Sequence, residues 1–525
     1  MRGFATVGLW TMASRVLGFV RDMVVVAMLG VGPVAEAFFV AFTLPNLFRR
    51  FFAEGAFNTA FVPMFALRLE GQGRAVARRF AEDAFAALAG LLIALSLLAQ
   101  LAMPWLVLAL ASGTAGDARF DLSVVFGRIV FPYILLISLA ALLSGVLNAA
   151  GRFAAAAAAP VLLNVTLIAA LGAVAAGGMG ADRQFAGTVL SWGVVVAGVL
   201  QLALVWFAAR QAGFGLALRL PRLTPEMRQL AILAAPAALA GGVMQINLVI
   251  GRQVASYWEG AIGWLWVADR LYQLPLGVIG VAIGVVLLPS LSRHVLAGDS
   301  QAAGQALNRS AEFALVLTLP ATAALVAMPE LMTRVLFERG AFTVEDAAAT
   351  GLALAIYAAG LPAFVLQKVL QPAFFAREDT RTPLRFALWS MVVTFVVAVG
   401  GAPLMGWIAA PLGTSAAAWV QVLLLARGAS GRGGRTVAFQ PDARLRQRWP
   451  RALVAAVAMG LAVALAAEAA TTPGLIPAAR WAEALALAII VLGGAALYGA
   501  LLLALGGFTR ADLAAALGRG RRSTG

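Results

Sequence analysis

The stretch SRVLGFVRDMV, residues 14–24, places Arg15, Arg21 and Asp22 inside an apolar run from Phe4 to Leu29 that is long enough to cross a bilayer. Guanidinium groups grip phosphate oxygens in two-pronged forks, so arginines held at such depth point to a phosphate or pyrophosphate ligand. Arg49 and Arg50 in the second apolar run, Arg270 in the eighth and Lys368 in the tenth lie at comparable depth. Each such charge costs roughly 2.5 to 3.5 kcal/mol even on the lenient insertion scale, and four uncompensated arginines would cost on the order of 10 kcal/mol, comparable to a whole protein's stability. They must face something polar. The acidic candidates nearby are Asp22, Glu36, Glu54 and Asp269, fewer than the bases. Pairing can lock helices together, yet it leaves an excess of cations, which suggests a cavity that attracts an anion. Arg128 and Arg252 fall nearer helix ends and are expected to snorkel.

Helix geometry refines this expectation. At about 100° per residue, Arg15 and Arg21 point about 120° apart and are separated by roughly 9 Å along the axis, whereas Asp22 returns nearly to the face of Arg15. A tall cavity, or a bend at Gly18, would let both arginines line one site. Pro45 is expected to break the second span just below Arg49, because a water-lined cavity can replace the hydrogen bond that proline removes. Pro275 is the matching hinge in the eighth span. Broken helices beside charges are how transporters build midplane sites.

The elements that must carry these residues are membrane helices. Of 525 residues, 62% are hydrophobic and 12% charged, against about 25% charged in a soluble domain. Cysteine is absent and His294 is the sole histidine, so thiolate chemistry is excluded, and neither a metal site, a cofactor nor a catalytic residue is expected. The net charge of +15 is spread as Arg through spans and short loops, which fits membrane topology and not a nucleic-acid partner. Fourteen apolar runs begin near residues 4, 34, 83, 121, 153, 185, 228, 261, 310, 344, 384, 405, 451 and 481. They are continuous, which excludes a β-barrel. With a cytoplasmic N-terminus, 26 arginines fall inside and five outside (Arg119, Arg183, Arg334, Arg339 and Arg480), so both termini are expected in the cytoplasm. The first run lacks a small-x-small cleavage site and reads as a retained helix.

A shift of 230 residues superposes Leu44-Pro45 on Leu274-Pro275 and Pro132 on Pro362, as two six-helix halves of one orientation would require. The expected organisation is all-α: residues 1–215 with spans 1–6, residues 224–430 with spans 7–12, and residues 449–525 with two extra spans and a basic tail. The joint is GFGLALRLPRLTP, where the apolar pattern breaks; GASGRGGRTVAFQPDARLRQRWPR precedes the final pair.

SRVLGFVRD, AFFVAFTLPNLFRRFFAEGAFNTAFVP (37–63), FPYILLISLAALLSGVLNAAGRF (131–153), ADRLYQLPLGVIGVAIGVVLLPSLS (268–292) and KVLQPAFFAREDTRTP (368–383) resemble, in order and over nearly the full length, the MurJ (MviN) lipid II flippase family of the multidrug/oligosaccharidyl-lipid/polysaccharide (MOP) exporter superfamily. The resemblance implies a V-shaped pair of lobes in the bacterial inner membrane. It also implies alternating access that moves undecaprenyl-pyrophosphate-linked disaccharide-pentapeptide from the cytoplasmic to the outer leaflet. By motif, the essential cavity arginines fall on Arg15, Arg21, Arg49 and Arg270, with Ser14, Asp22 and Glu54 also marked, and spans 13 and 14 as a groove for the lipid tail. Membrane lipids are implied as surroundings, and other cell-wall synthesis proteins are candidate partners. Two departures bear on mechanism. Glu36 stands where relatives often carry Asp. Span 7 offers only Gln245 and Asn247 where some relatives have a sodium-binding Asp, which leaves membrane potential, protons and sodium open as the drive. A polyprenyl-phosphate enzyme would need a carboxylate pair or an activated nucleophile that the loops lack. A scaffold would not need deep arginines. The runner-up is another exporter of the superfamily, for drugs or polysaccharide lipids.

Overall fold

A backbone in hydrocarbon must satisfy its own hydrogen bonds, and in long apolar runs the α-helix does so. The structure, a computed structural model, describes residues 2–52, 56–217, 219–222, 224–297, 299–377, 379–429, 439–472 and 479–508, and these contain α-helices and no strand. The helices are α1 (Arg2–Leu29), α2 (Pro33–Phe52), α3 (Ala56–Gly71), α4 (Arg74–Ala111), α5 (Ala118–Val130), α6 (Tyr133–Ala149), α7 (Ala154–Ala176) and α8 (Arg183–Gln211). They continue as α9 (Pro225–Ala255), α10 (Ala261–Leu296), α11 (Ser300–Ala327), α12 (Pro329–Phe337) and α13 (Val344–Phe375). The last four are α14 (Arg381–Met405), α15 (Ala409–Ala429), α16 (Ala443–Thr471) and α17 (Arg480–Ala504). Among the described residues, nine helical stretches are long and apolar enough to cross a membrane. The protein is therefore all-α and multi-spanning.

Local chemistry explains several boundaries. Pro132 stands between α5 and α6, whereas its repeat partner Pro362 lies inside an uninterrupted α13. Asp117, Asp182, Thr224, Asp299 and Asp442 cap α5, α8, α9, α11 and α16 by accepting from free N–H groups of the first turn. Asp379 does the same for α14 through the Thr382 N–H at 2.9 Å, and its bonds to Thr382 hold its carboxyl below the usual carboxylate range.

The chain packs as two units, Met1–Gly263 with Arg339–Thr343, and Trp264–Glu338 with Val344–Gly525. In the first, α1 lies along α7, α7 and α6 along α8, α2 along α5, and α9 against α3 and α4. By packing, α9 belongs here, although the break in the apolar pattern precedes it. That break is itself fastened to the unit: Phe214 meets Phe65 edge-on, while the Ala217 N–H and the Arg219 guanidinium both bond the buried Glu82 carboxylate. Residues 339–343 join the same unit through the Ala341 N–H, which donates to the Ala27 carbonyl at 2.7 Å. Gly30 and Gly340, with φ of +69° and +62°, make this approach feasible; a Cβ on Gly340 would lie 2.1 Å from the Ala27 oxygen.

In the second unit α11 packs on α13 and α16, α13 and α14 on α15, and α17 on α16 and α12. Val316, Met328 and Leu331 meet Met459, Val463 and Leu487, and the Tyr498 hydroxyl donates to the Val316 carbonyl at 2.8 Å. Beside this apolar seam Glu312, 5% exposed, receives Arg309, Arg444 and Arg448, the last at 2.7 Å. Asp442 binds Arg309 as well as capping α16.

Two stability tests follow from these contacts. Gly73, at φ +86° and ψ 171° with open space around it, should bear Ala for the backbone cost alone, roughly 1 to 3 kcal/mol. Gly340→Ala adds a collision with backbone, so thermal unfolding in detergent should give it a clearly lower midpoint than Gly73→Ala; equal midpoints would refute the clasp at Ala27. Glu312→Ala leaves three guanidinium groups crowded together, and the loss should approach the lower end of the roughly 3 to 5 kcal/mol for breaking a buried pair, since Arg309 and Arg444 reach solvent. An unchanged midpoint would mean that α16 is held by its apolar seam alone.

Candidate functional site

The deep arginines do not share one environment. α1 is helical without interruption from Arg2 to Leu29, so no break occurs at Gly18. Ser14, Gly18 and Arg21, spaced at four and three residues, fall on one face, and that face meets α7. Gly18 is not the hinge expected of it; it faces the Asn164 amide of α7, and an added Cβ would lie 3.6 Å from Nδ2, an ordinary contact. Arg15, one position further round, is exposed.

Arg21 is 8% exposed and fully bracketed by polar groups. Its Nε and Nη2 donate to Asp22 Oδ1 at 3.0 and 2.6 Å, and its Nη1 donates to Asn164 Oδ1 at 3.0 Å. Asn164 Nδ2 in turn donates to the Ser14 carbonyl at 2.9 Å. Asp22 was expected to serve the arginines, and it does so for its neighbour; consecutive helix residues diverge, so the long Arg21 side chain folds back to reach it.

α2 likewise continues to Phe52, through Pro45, instead of breaking there. Proline removes only the bond to the Ala41 carbonyl. The flanking Thr43 and Asn46 side chains bond back to the carbonyls of Phe39 and Phe42 at 2.6 and 2.7 Å. Pro275 is also interior to an unbroken α10. Arg49 is half-buried on α2. Arg252, expected to snorkel, instead turns to α2 and donates to the Thr43 hydroxyl. Arg128 is exposed, and its Nε donates to the Gln100 carbonyl at 3.2 Å.

Glu36 does not join the deep arginines. It is 0% exposed, accepts from Arg119 at 3.0 Å through Oε2, and accepts from the Ile262 N–H at 3.0 Å through Oε1. It therefore ties α2 to α5 and to the first turn of α10. Arg119, counted among the outside arginines, is a buried cross-link that also pairs with Asp117 at 2.7 Å.

In the second unit the Arg270 guanidinium stacks on Trp266, one turn earlier on α10, with 4.6 Å from Cζ to the ring centroid. Asp269 accepts from Gln273, one turn later. Tyr272 is buried between the Tyr357 and Phe364 rings of α13. Lys368 is exposed, with its stem across Gly280. Glu54 and the side chains of Arg50, Gln245 and Asn247 lie outside the described residues. Among the described residues no group of three or more acidic, His or Cys side chains is placed to hold a metal ion.

Sequence reasoning missed Asn164 and Arg119. A lone Asn in the apolar run PVLLNVTLIAALGAV was a signal, because an amide in such a span costs free energy unless it is hydrogen-bonded. Arg119 carries no comparable signal, since it follows Asp117 in what reads as an ordinary polar loop.

A family profile described as "Lipid II flippase MurJ" matches residues 25–479. The chain is 46% identical over 524 residues to a "Probable lipid II flippase MurJ" of Rhizobium meliloti, covering 99% of this chain and 96% of the relative. It is 35% identical over 469 residues to "Lipid II flippase MurJ" of Burkholderia cenocepacia, covering 88% of each. Among solved structures, "Lipid II flippase MurJ, inward closed conformation" matches with a TM-score of 0.76 at 22% identity, over 94% of this chain and 98% of that one. An inward-facing multidrug resistance MATE transporter of the MOP superfamily matches with a TM-score of 0.64 at 15% identity, over 78% and 92%.

The Glu36 cross-link makes its own prediction. Glu36→Gln keeps an acceptor for the Ile262 N–H and loses the charge opposite Arg119, whereas Glu36→Ala loses both. Thermal unfolding should rank wild type above Gln above Ala, with a loss for Ala of roughly 3 kcal/mol or more. Equal stability of the two variants would mean that the Ile262 bond contributes nothing.

Proposed function

The chain belongs to the MurJ lipid II flippase family of the MOP exporter superfamily, and from that membership we propose that it moves lipid II from the cytoplasmic to the periplasmic leaflet of the inner membrane. The observation that carries the reading is the match at 46% identity along nearly the whole of both chains. The protein is accordingly a multi-pass transporter of that membrane and not an enzyme. A drug exporter of the same superfamily shares the fold, but the two relatives named above, at 46% and 35% identity, carry the description of a lipid II flippase, probable in the first case.

The site proposed for the pyrophosphate is the set Arg15, Arg21, Arg49 and Arg270. Guanidinium forks match phosphate oxygens in geometry and charge, and a pyrophosphate offers more oxygens than a single Arg can satisfy. A carrier must also survive its empty state, and Asp22 serves that need. While no anion is present it neutralises Arg21 at 2.6 Å, so the cost of an empty cationic site falls. An arriving pyrophosphate competes with Asp22 for the same cation, which weakens net binding and favours release on the far side.

The proposed topology is fourteen spans with both termini cytoplasmic, as two six-helix sequence halves followed by α16 and α17. The excess of arginines on one side supports it. Leu453, Val457, Leu461 and Leu465 form an exposed stripe along α16, one per turn; Ile489 and Leu492 of α17, which packs on α16, are also exposed, and such a surface suits a polyprenyl tail. The cycle is driven by membrane potential, protons or sodium, and other cell-wall synthesis proteins are candidate partners.

Translocation of labelled lipid II in vesicles holding the purified protein tests the reading. Arg21→Ala and Arg270→Ala should each lower transport by about tenfold or more, from the loss of charge-assisted bonds, with the protein still folded. Arg128→Ala should stay near wild type. Full activity in both of the first two variants would sink the cavity assignment.

A further inference from the structure

A guanidinium has five N–H donors in a rigid planar fork, so the direction in which it can grip an anion depends on which of them are already engaged. Among the described residues three of the five on Arg21 are engaged: Nε and Nη2 with Asp22, and Nη1 with Asn164. One N–H remains on each terminal nitrogen. The two bonds that Arg21 gives Asp22 both run to the single atom Oδ1, about which the guanidinium can swing. The third bond, from another helix, removes the swing. Asn164 is suited to supply it, being 5% exposed and itself held by its donation to the Ser14 carbonyl at 2.9 Å. This second bond also sets the amide's orientation: Nδ2 must face Ser14, so Oδ1 must face Arg21.

We propose that Asn164 is a positioning residue for lipid II recognition, holding the Arg21 guanidinium so that its two remaining N–H groups are presented to the pyrophosphate. The inference rests on the reading that Arg21 meets that pyrophosphate. Asn164 itself need not touch the substrate. It acts through Arg21, and that dependence distinguishes it from an amide that only satisfies the α1–α7 contact.

The test is a double-mutant cycle on lipid II affinity, measured with the full-length protein in nanodiscs. Asn164→Leu, which keeps the branched shape and removes both bonds, should weaken binding about tenfold, the size expected for a lost hydrogen bond to a charged group. The same change made on Arg21→Ala should weaken it no further than Arg21→Ala alone, because there is no guanidinium left to aim. Asn164→Asp guards against misfolding: it keeps an acceptor for Arg21, and should bind weakly because an anionic partner holds the guanidinium and opposes the substrate. Wild-type affinity in Asn164→Leu and Asn164→Asp, beside weak binding in Arg21→Ala, would overturn the inference alone. So would equal fold losses from Asn164→Leu in both backgrounds. Wild-type affinity in Arg21→Ala would overturn the pyrophosphate reading, and the inference with it.

Discussion

A charge removed from water must be met by an opposite charge or by several hydrogen bonds, because the desolvation cost of an isolated ion exceeds what packing can offset. The polar architecture of this chain follows from that requirement. Arg21 is met by Asp22 and Asn164, Glu36 by Arg119 and the Ile262 N–H, and Glu312 by three arginines. In each cluster at least one partner comes from a different helix. The clusters therefore neutralise charge and also set helix rotation, which apolar side chains in a lipid-like environment specify weakly.

Much of this was visible in the residues. The all-α class and the need of Arg21 for a polar partner followed from composition and span length, whereas helix spacing aimed Asp22 at the face of Arg15 and the structure pairs it with Arg21. What escaped were partners distant in sequence: 143 residues separate Arg21 from Asn164, and 83 separate Glu36 from Arg119. A single sequence carries the fact that Glu36 needs a cation but not which of 38 arginines supplies it. Local rules also misread Gly18 and Pro45. Each residue type favours a point where a helix yields, yet in both helices the backbone runs on. The packing boundary at Gly263 could not be read from composition either, because the break in the apolar pattern precedes α9 and not Gly263.

The same economy of charge connects structure to transport. A site made only of unpaired arginines would bind a pyrophosphate tightly and release it slowly, and it would be costly to return empty. In the proposed site Asp22, adjacent in sequence to Arg21, would lower both barriers while leaving two guanidinium N–H groups for the substrate. In the proposed reading the lipid tail needs no such arrangement, since the exposed leucines of α16 would meet an apolar chain as they meet the bilayer.

The central claim is that the pyrophosphate, more than the sugar, peptide or tail, is what the arginines recognise. Competition against labelled lipid II on the purified protein tests it most directly, using undecaprenyl pyrophosphate and uncharged undecaprenol, which share the tail and differ in the charged group. The account predicts that the pyrophosphate displaces lipid II at far lower concentration than the alcohol does. Equal displacement by the two would contradict it and shift recognition to the tail.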